Sequence, residues 1–397
     1  MHKIERLLQT LAPKGVEFRK LGEVCEILDN RRIPIAKNKR NPGIYPYYGA
    51  NGIQDYIDSY IFDGDFVLVG EDGSVINKDN TPVVNWASGK IWVNNHAHVL
   101  QTKNELKLKF LYFYLQTIDV SYCVAGTPPK INQENLKKIT IPIPPLEIQQ
   151  EIVKILDAFT ELNTELNTEL KARKKQYEYY QNMLLDFNGI NQNHKDAKMS
   201  AKTYPKRLQT LLQTLAPKGV EFRKLGEVCD FQKGKSITKK AVTFGKVPVI
   251  SGGRQPAYYH NEANRSGETI AISSSGVYAG YVSYWDIPVF LADSFSVSPK
   301  QKTLMPKYLF HYLTTQQDVI HATKSTGGIP HVYSKDLQNF LIPIPPLEIQ
   351  QEIVKILDQF SILTTDLLAG IPAEIEARKK QYEYYREKLL TFKPLKA

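Results

Sequence analysis

The 397-residue chain is 42% apolar and 23% charged, which excludes intrinsic disorder and leaves room for more than one core. Lys and Arg number 51 against 41 Asp and Glu, a formal net charge of +10 that suits a polyanionic partner. No apolar leader and no run long enough to span a bilayer is present, so a cytoplasmic protein without a membrane segment is expected.

In chain order, the first recognisable element is LLQTLAPKGVEFRKLGEVC at 7–25, which recurs letter for letter at 211–229. Two of the three cysteines, Cys25 and Cys229, are therefore one repeat position; with Cys123 they read as buried reduced thiols, not a disulfide framework. The following stretch, 26–140, opens on Arg31, Arg32, Lys37, Lys39 and Arg40, a basic run that is either a solvated face or a phosphate-binding one. PYYGANG from Pro46 and GDFVLVGEDGS from Gly64 read as short apolar strands that enter Gly-bearing turns. Asn51 stands in the first of these turns; its amide suits an adenine edge, and it equally suits an ordinary polar turn. His96 and His98 alternate along a strand, but no third ligand accompanies them, so packing or surface roles are preferred to a metal site. KFLYFYL from Lys109 reads as a short helix, and Lys130 closes the loop before the last strand.

A second duplicated element, IPIPPLEIQQEIVKILD, begins at Ile141 and starts a long amphipathic helix. Ile152, Ile155, Leu156, Phe159, Leu162, Leu166 and Leu170, then Tyr177, Tyr180 and Leu184, recur three or four apart. Pro144 and Pro145 bar helix upstream and Asn188-Gly189 ends it, so the rod is about 42 residues, roughly 60 Å, long. Its middle is TELNTELNTEL from Thr160. A rod of that length needs a partner, and the chain contains one. IPIPPLEIQQEIVKILD recurs from Ile342, ARKKQYEYY closes both arms at Ala172 and Ala377, and Ile353, Ile356, Leu357, Phe360, Leu363 and Leu367, then Tyr382, Tyr385 and Leu389, repeat the stripe. An intramolecular antiparallel coiled coil follows. The second arm also carries Gly370-Ile371-Pro372, which should break or kink it.

Between the copies, 230–341 repeats the landmarks of 26–140 with other side chains. Lys233, Lys235, Lys239 and Lys240 take the place of the first basic run, and PVISGG leads to Arg254 and Gln255, which suit guanine and adenine edges. GETIAISSSGV, KYLFHYL and a loop ending in His331 then follow in the same order. The fold class is α/β: two similar globular domains in tandem, separated by two long helices in an antiparallel coiled coil, with pseudo-two-fold symmetry. Phosphate-loop, serine-hydrolase and paired Cys-x-x-Cys motifs are absent from the sequence, so no catalytic residues and no metal site are expected.

This arrangement resembles the specificity (S, or HsdS) subunit of type I restriction-modification enzymes over essentially the whole chain. IPIPPLEIQQEIVKILD at both arm starts, ARKKQYEYY at both ends, the TELN repeats, YYGANGI from Tyr47 and FVLVGEDGS from Phe66 carry the resemblance. It implies target recognition domains at 1–144 and 211–345, helical arms at 145–188 and 346–393, and a linker at 189–210. Double-stranded DNA is then the ligand, each domain reading half of a bipartite target. The expected DNA-facing side chains are Arg31, Arg32, Lys37, Lys39, Arg40, Asn51 and Lys130 in one domain, and Lys233, Lys235, Lys239, Lys240, Arg254, Gln255 and His331 in the other. Phe159, Leu162, Leu166, Leu170, Phe360, Leu363 and Leu367 on the arms would set spacing and dock methyltransferase subunits, two of them, with a restriction subunit beyond. The chain itself would bind no cofactor, since S-adenosylmethionine, ATP and magnesium would belong to those partners. A coiled-coil scaffold whose two domains bind protein or RNA is the other reading; it predicts no salt-steep, sequence-selective duplex binding.

Each TELN copy adds about one helical turn, near 6 Å of rise. Deleting one copy should change the preferred spacer between the half-sites and leave both half-site sequences intact. Mapping the recognised sequence in the deletion variant checks this, and an unchanged spacer refutes it.

Overall fold

A computed structural model describes residues 2–73, 75–187, 204–300, 302–325, 328–365 and 370–395, so most of the expected linker, Asn188-Gly189 and Leu367 lie outside the described residues. The chain divides into two compact units, Met1–Asn167 with Glu374–Ala397, and Thr168–Ala373. Each unit thus contains one globular domain, the start of the arm that follows it, and the far end of the other arm.

In the first unit, six strands form one sheet in the order Cys25–Ile27, Ala97–Thr102, Phe62–Gly70, Val84–Val93, Pro42–Gly49 and Gly52–Ile57. In the second, the matching strands form two sheets: Cys229–Lys233, Ser294–Pro299, Thr269–Ser273 and Val282–Trp285, and separately Tyr258–His260, Phe244–Ile250 and Phe290–Leu291. The cause lies in one strand. Val84–Val93 is continuous, whereas its counterpart is interrupted by Asp286-Ile287-Pro288, and proline cannot donate a ladder hydrogen bond. The parallel pairing survives in both, Tyr47 with Trp92 and Val249 with Phe290.

The duplicated sequence makes duplicated contacts. Glu17–Lys20 pairs antiparallel with Thr140–Ile143, and Glu221–Lys224 pairs with Leu341–Ile344 in the same register, Phe18 opposite Pro142 and Phe222 opposite Pro343. KFLYFYL and KYLFHYL lie on the short helices Leu108–Leu115 and Pro306–Thr315. Cys25 and Cys229 are buried free thiols, and desolvation pushes both up to about 12.

After Pro145 the first arm runs as one helix, Leu146–Leu185. The second is two helices, Leu347–Thr365 and Gly370–Leu390; the latter starts on Gly370, whose φ of 74° glycine adopts without penalty, and Pro372 sits in its first turn, where no amide partner is needed. The arms pack together within each unit, and the same pairing appears twice. Phe159 meets Tyr382 and Tyr385 in the first unit, and Phe360 meets Tyr177 and Tyr180 in the second, with ring centroids 5.1–6.5 Å apart. Leu166 is buried, and Leu162 and Leu170 are partly covered. Leu363 departs from the expected stripe: it is 42% exposed while Thr364 is buried, because 353, 357, 360 and 364 keep the helical phase and 363 falls beside it.

A buried glutamine fixes each arm to its domain. Gln149 Nε2 donates to the carbonyls of Pro144 (2.7 Å) and Glu105 (2.9 Å), and its Oε1 accepts from Lys107 N at 2.7 Å. Gln350 does the same with Pro345 (2.7 Å), Thr303 (2.8 Å) and Met305 N (2.8 Å). Ion pairs flank both joints: Lys3 with Glu151 at 2.5 Å and Lys109 with Asp157 at 3.5 Å, then Arg207 with Glu352 at 3.0 Å and Lys307 with Asp358 at 2.8 Å.

Replacing either glutamine by leucine leaves buried carbonyls and an amide unpaired, at about 1–3 kcal/mol. Gln149→Leu and Gln350→Leu should therefore lower stability by similar amounts in calorimetric unfolding. A loss at only one of them would show that the two joints are not equivalent.

Candidate nucleic-acid interface

In the first unit the basic run leaves the edge strand Cys25–Ile27, turns at Asp29–Arg31, and folds back against the end of the sheet. Arg32 points inward and is 11% exposed. Its guanidinium donates to Glu71 (2.6 Å) and to the carbonyls of Asp29 (3.1 Å) and Ala97 (2.8 Å). Glu71 also pairs with Lys130 at 3.0 Å. Asp29 accepts from His98 Nδ1 (2.6 Å), Val99 N (3.1 Å) and Gln133 Nε2 (3.2 Å), and His98 Nε2 donates to the Ile131 carbonyl at 2.7 Å. Burial opposes the charge on Asp29, but the His98 bond and the nearby Arg32 outweigh it and hold the carboxyl below the usual range.

The other first-domain residues divide by how far they are committed. Arg40 donates to the Ile35 carbonyl (3.0 Å), lies 4.0 Å over the Tyr47 ring and is 3.4 Å from Asp55. Arg31 is exposed, 4.7 Å over Phe62, and donates to the Ile61 carbonyl. Lys37 and Lys39 project from the turn Lys37–Lys39, and Asn51 is exposed between the strands Pro42–Gly49 and Gly52–Ile57. His96 is half exposed and bonded to Asp72. Asp29, Glu71 and His98 present ligand-type atoms within 4.8 Å of one another. Arg32 and Lys130 already neutralise this group, and both His98 nitrogens are engaged, so it does not suit a cation.

The second unit builds the same loops with different side chains. Gly73 N donates to Pro129 O at 3.0 Å, as does Gly276 N to Pro330 O; Ile131 N reaches Glu71 O at 2.9 Å, and Val332 N reaches Ser274 O at 3.0 Å. Ala125 N bonds Lys130 O at 2.9 Å, and Ser325 N bonds His331 O at 3.0 Å, which puts His331 in the place of Lys130. Sheet register sets Lys233 opposite Phe295, the strand place of His98, and Phe295 is buried without charge. Lys235 is exposed beside the sheet, Lys239 and Lys240 lie on the exposed turn Lys239–Ala241, and His331 stacks on Tyr333. Arg254 lies 5.0 Å from the Tyr278 ring and 5.8 Å from Tyr281, with Gln255 exposed next to it. Arg265, which the sequence reading passed over, donates to Ser296 Oγ (2.9 Å) and to the Gln232 and Lys233 carbonyls (both 3.1 Å), and burial lowers its pKa.

Both domains thus carry exposed cations, amides and aromatic rings on loops that repeat a common set of backbone hydrogen bonds. The profile of the Type I restriction modification DNA specificity domain matches residues 13–175 and again 217–377, most of the chain. The chain belongs to the type I restriction-modification specificity-subunit family. A Haemophilus influenzae protein named as a type I restriction enzyme specificity subunit, S.HindORF215P, is 37% identical over 98% of both chains. The Escherichia coli EcoR124I/EcoR124II specificity subunit is 29% identical over 99% of this chain and 97% of its own. In fold, the chain is similar to the type I restriction-modification S subunit of M. genitalium, with a TM-score of 0.66 over 97% of both chains at 20% identity. A specificity subunit is the non-catalytic component of its complex, and its two globular domains are target recognition domains. Among the described residues no helix is long and apolar enough to cross a membrane.

Substituting Lys37 and Lys39 by alanine should weaken DNA binding across sequences and reduce the salt slope by up to roughly two, with unfolding unchanged. Arg32→Ala should instead lower stability by about 3 kcal/mol or more, because Asp29 and Glu71 lose a buried counter-charge. Salt titrations alongside thermal unfolding separate the two classes; a purely salt-linked effect at Arg32 would contradict its structural placement.

Proposed function

We propose that each target recognition domain reads one half of a bipartite duplex DNA sequence, and that the arms hold the two readers at a set spacing and dock two methyltransferase subunits. The observation that carries this reading is the duplicated loop lattice, where the backbone hydrogen bonds repeat and the side chains do not. A constant frame with variable side chains is what two independent readers of unlike half-sites require. In the first domain the exposed Lys37, Lys39 and Arg31 suit phosphates and the exposed Asn51 suits a base edge. In the second, Lys235, Lys239 and Lys240 suit phosphates, while Arg254 and Gln255 suit base edges. Lys130 and His331 occupy matching positions in the two sets of loop hydrogen bonds. Arg32 and Arg40 act by shaping the loop that carries the others.

S-adenosylmethionine, ATP and magnesium belong, on this reading, to the methyltransferase and restriction subunits, and the complex works in the cytoplasm on double-stranded DNA. The repeated arm ends, with Tyr179 and Tyr384 exposed at the same repeat position, support two equivalent docking places.

Genome-wide adenine methylation in cells with and without this chain, alongside its methyltransferase, tests the proposal. A split motif that vanishes with the chain is expected. Unchanged methylation together with no duplex preference in direct titration would overturn it.

A further inference from the structure

Two branched aliphatic side chains of the second domain stand in water where its loops meet. The loops are tied by Gly276 N, which donates to the Pro330 carbonyl, and by Val332 N, which donates to that of Ser274, both at 3.0 Å, with Ser275 bridged to His331. Val277 and Ile329 each lie one residue beyond this tie, 81% and 66% exposed. A single exposed aliphatic residue is ordinary; two at one loop junction, among cations, call for an occupant.

The surroundings restrict what that occupant is. Tyr278, next to Val277, has the Arg254 guanidinium 5.0 Å from its ring centroid, and Lys324 Nζ donates to the Val277 carbonyl at 3.5 Å. Lys335 lies 5.5 Å from the ring of Tyr333, on which His331 stacks. Gly252, on the loop that leads to Arg254 and Gln255, approaches so closely that a Cβ there would meet the Ser275 carbonyl oxygen at 2.5 Å. The aliphatic pair therefore adjoins cations and the side chains that suit base edges, which favours duplex DNA over an apolar protein surface. In the major groove the apolar group that a base edge offers is the C5-methyl of thymine.

We propose that Val277 and Ile329 are specificity-determining residues that pack on a thymine methyl group in the second half-site. This rests on the two-reader function proposed above and adds an apolar contact to the polar ones. The first domain has Ser74 and Pro128 at the corresponding sequence positions, aligned through the equivalent bond from Gly73 N to the Pro129 carbonyl, so the aliphatic pair belongs to the second domain.

The test uses the complex of this chain with its methyltransferase subunits and duplexes of the mapped target. Each thymine of the second half-site, on either strand, is replaced in turn by deoxyuridine, which lacks only the methyl group. Replacement at one of them should weaken binding about fourfold, the worth of one buried methyl group. In the double variant Val277→Ala, Ile329→Ala that penalty should vanish, while preference at the other base pairs of the same half-site persists and shows that the second domain itself is folded and reading. Should the double variant lose the whole half-site, each single alanine substitution is judged by the same loss of penalty. A parent complex indifferent to deoxyuridine at every thymine, or a penalty undiminished in the variants, overturns the proposal. Equal loss of affinity for thymine and uracil duplexes also overturns it, since that marks a wedge between base steps or a backbone contact. A parent with no preference at either half-site would instead overturn the two-reader function beneath it.

Discussion

An amphipathic helix of 40 residues carries an apolar stripe whose start, at Ile148, Ile152 and Leu156, is buried in the core of its own domain, while the stretch beyond must be covered by something else. The organisation of this chain follows from how the cover is supplied. The first half of the arm is met by Tyr382 and Tyr385 from the end of the chain, and the second half offers Tyr177 and Tyr180 to Phe360 of the other arm. Each compact unit is therefore assembled from segments far apart in sequence. In the first unit the closure reaches the end of the described chain. Val16 N donates to the Lys393 carbonyl at 2.9 Å and Leu395 N to the Val16 carbonyl at 2.8 Å, against Gly15, where a side chain would collide with the Pro394 carbonyl.

Gln149 and Gln350 each tie the start of an arm to its own domain. Each glutamine satisfies two loop carbonyls and one amide that would otherwise be buried unpaired, and apolar residues one turn on, Ile152 and Ile353, are fully buried. The sequence block that starts each arm is thus constrained through its whole thickness, with one face in the core and one residue in the joint. Such a block tolerates little change, whereas the loops share backbone hydrogen bonds between the two domains and differ in their side-chain contacts.

That difference explains how two domains can share a frame and diverge in surface. The loop lattice is made from main-chain donors and acceptors, so Glu71 can become Ser274 and Lys130 can become His331 without altering the bonds at those positions. The sheets diverge more, because Pro288 interrupts a strand that is continuous in the first domain. Beneath the loops the two domains solve the same packing problem differently, one with a paired ionic group around His98 and the other with Phe295.

By itself the sequence determined the tandem division, the arms and their pairing, the short helices at Lys109 and Lys307 and the α/β class, because these rest on repetition and on periodic apolar residues that are local in the chain. It also placed the loops that carry Asn51, Lys130, Arg254 and His331, since glycine and proline mark turns locally. Only the tertiary structure decided which cations are free. Arg32 and Lys37 look alike in a basic run, yet Arg32 is consumed by Asp29, Glu71 and three carbonyls, partners that reach it from as far as Ala97, while Lys37 projects. The same holds for His98 and Arg265, whose partners are distant in sequence, and for Leu363, which left the buried stripe to Thr364. A charge's role depends on what surrounds it in space, and neither composition nor spacing carries that information.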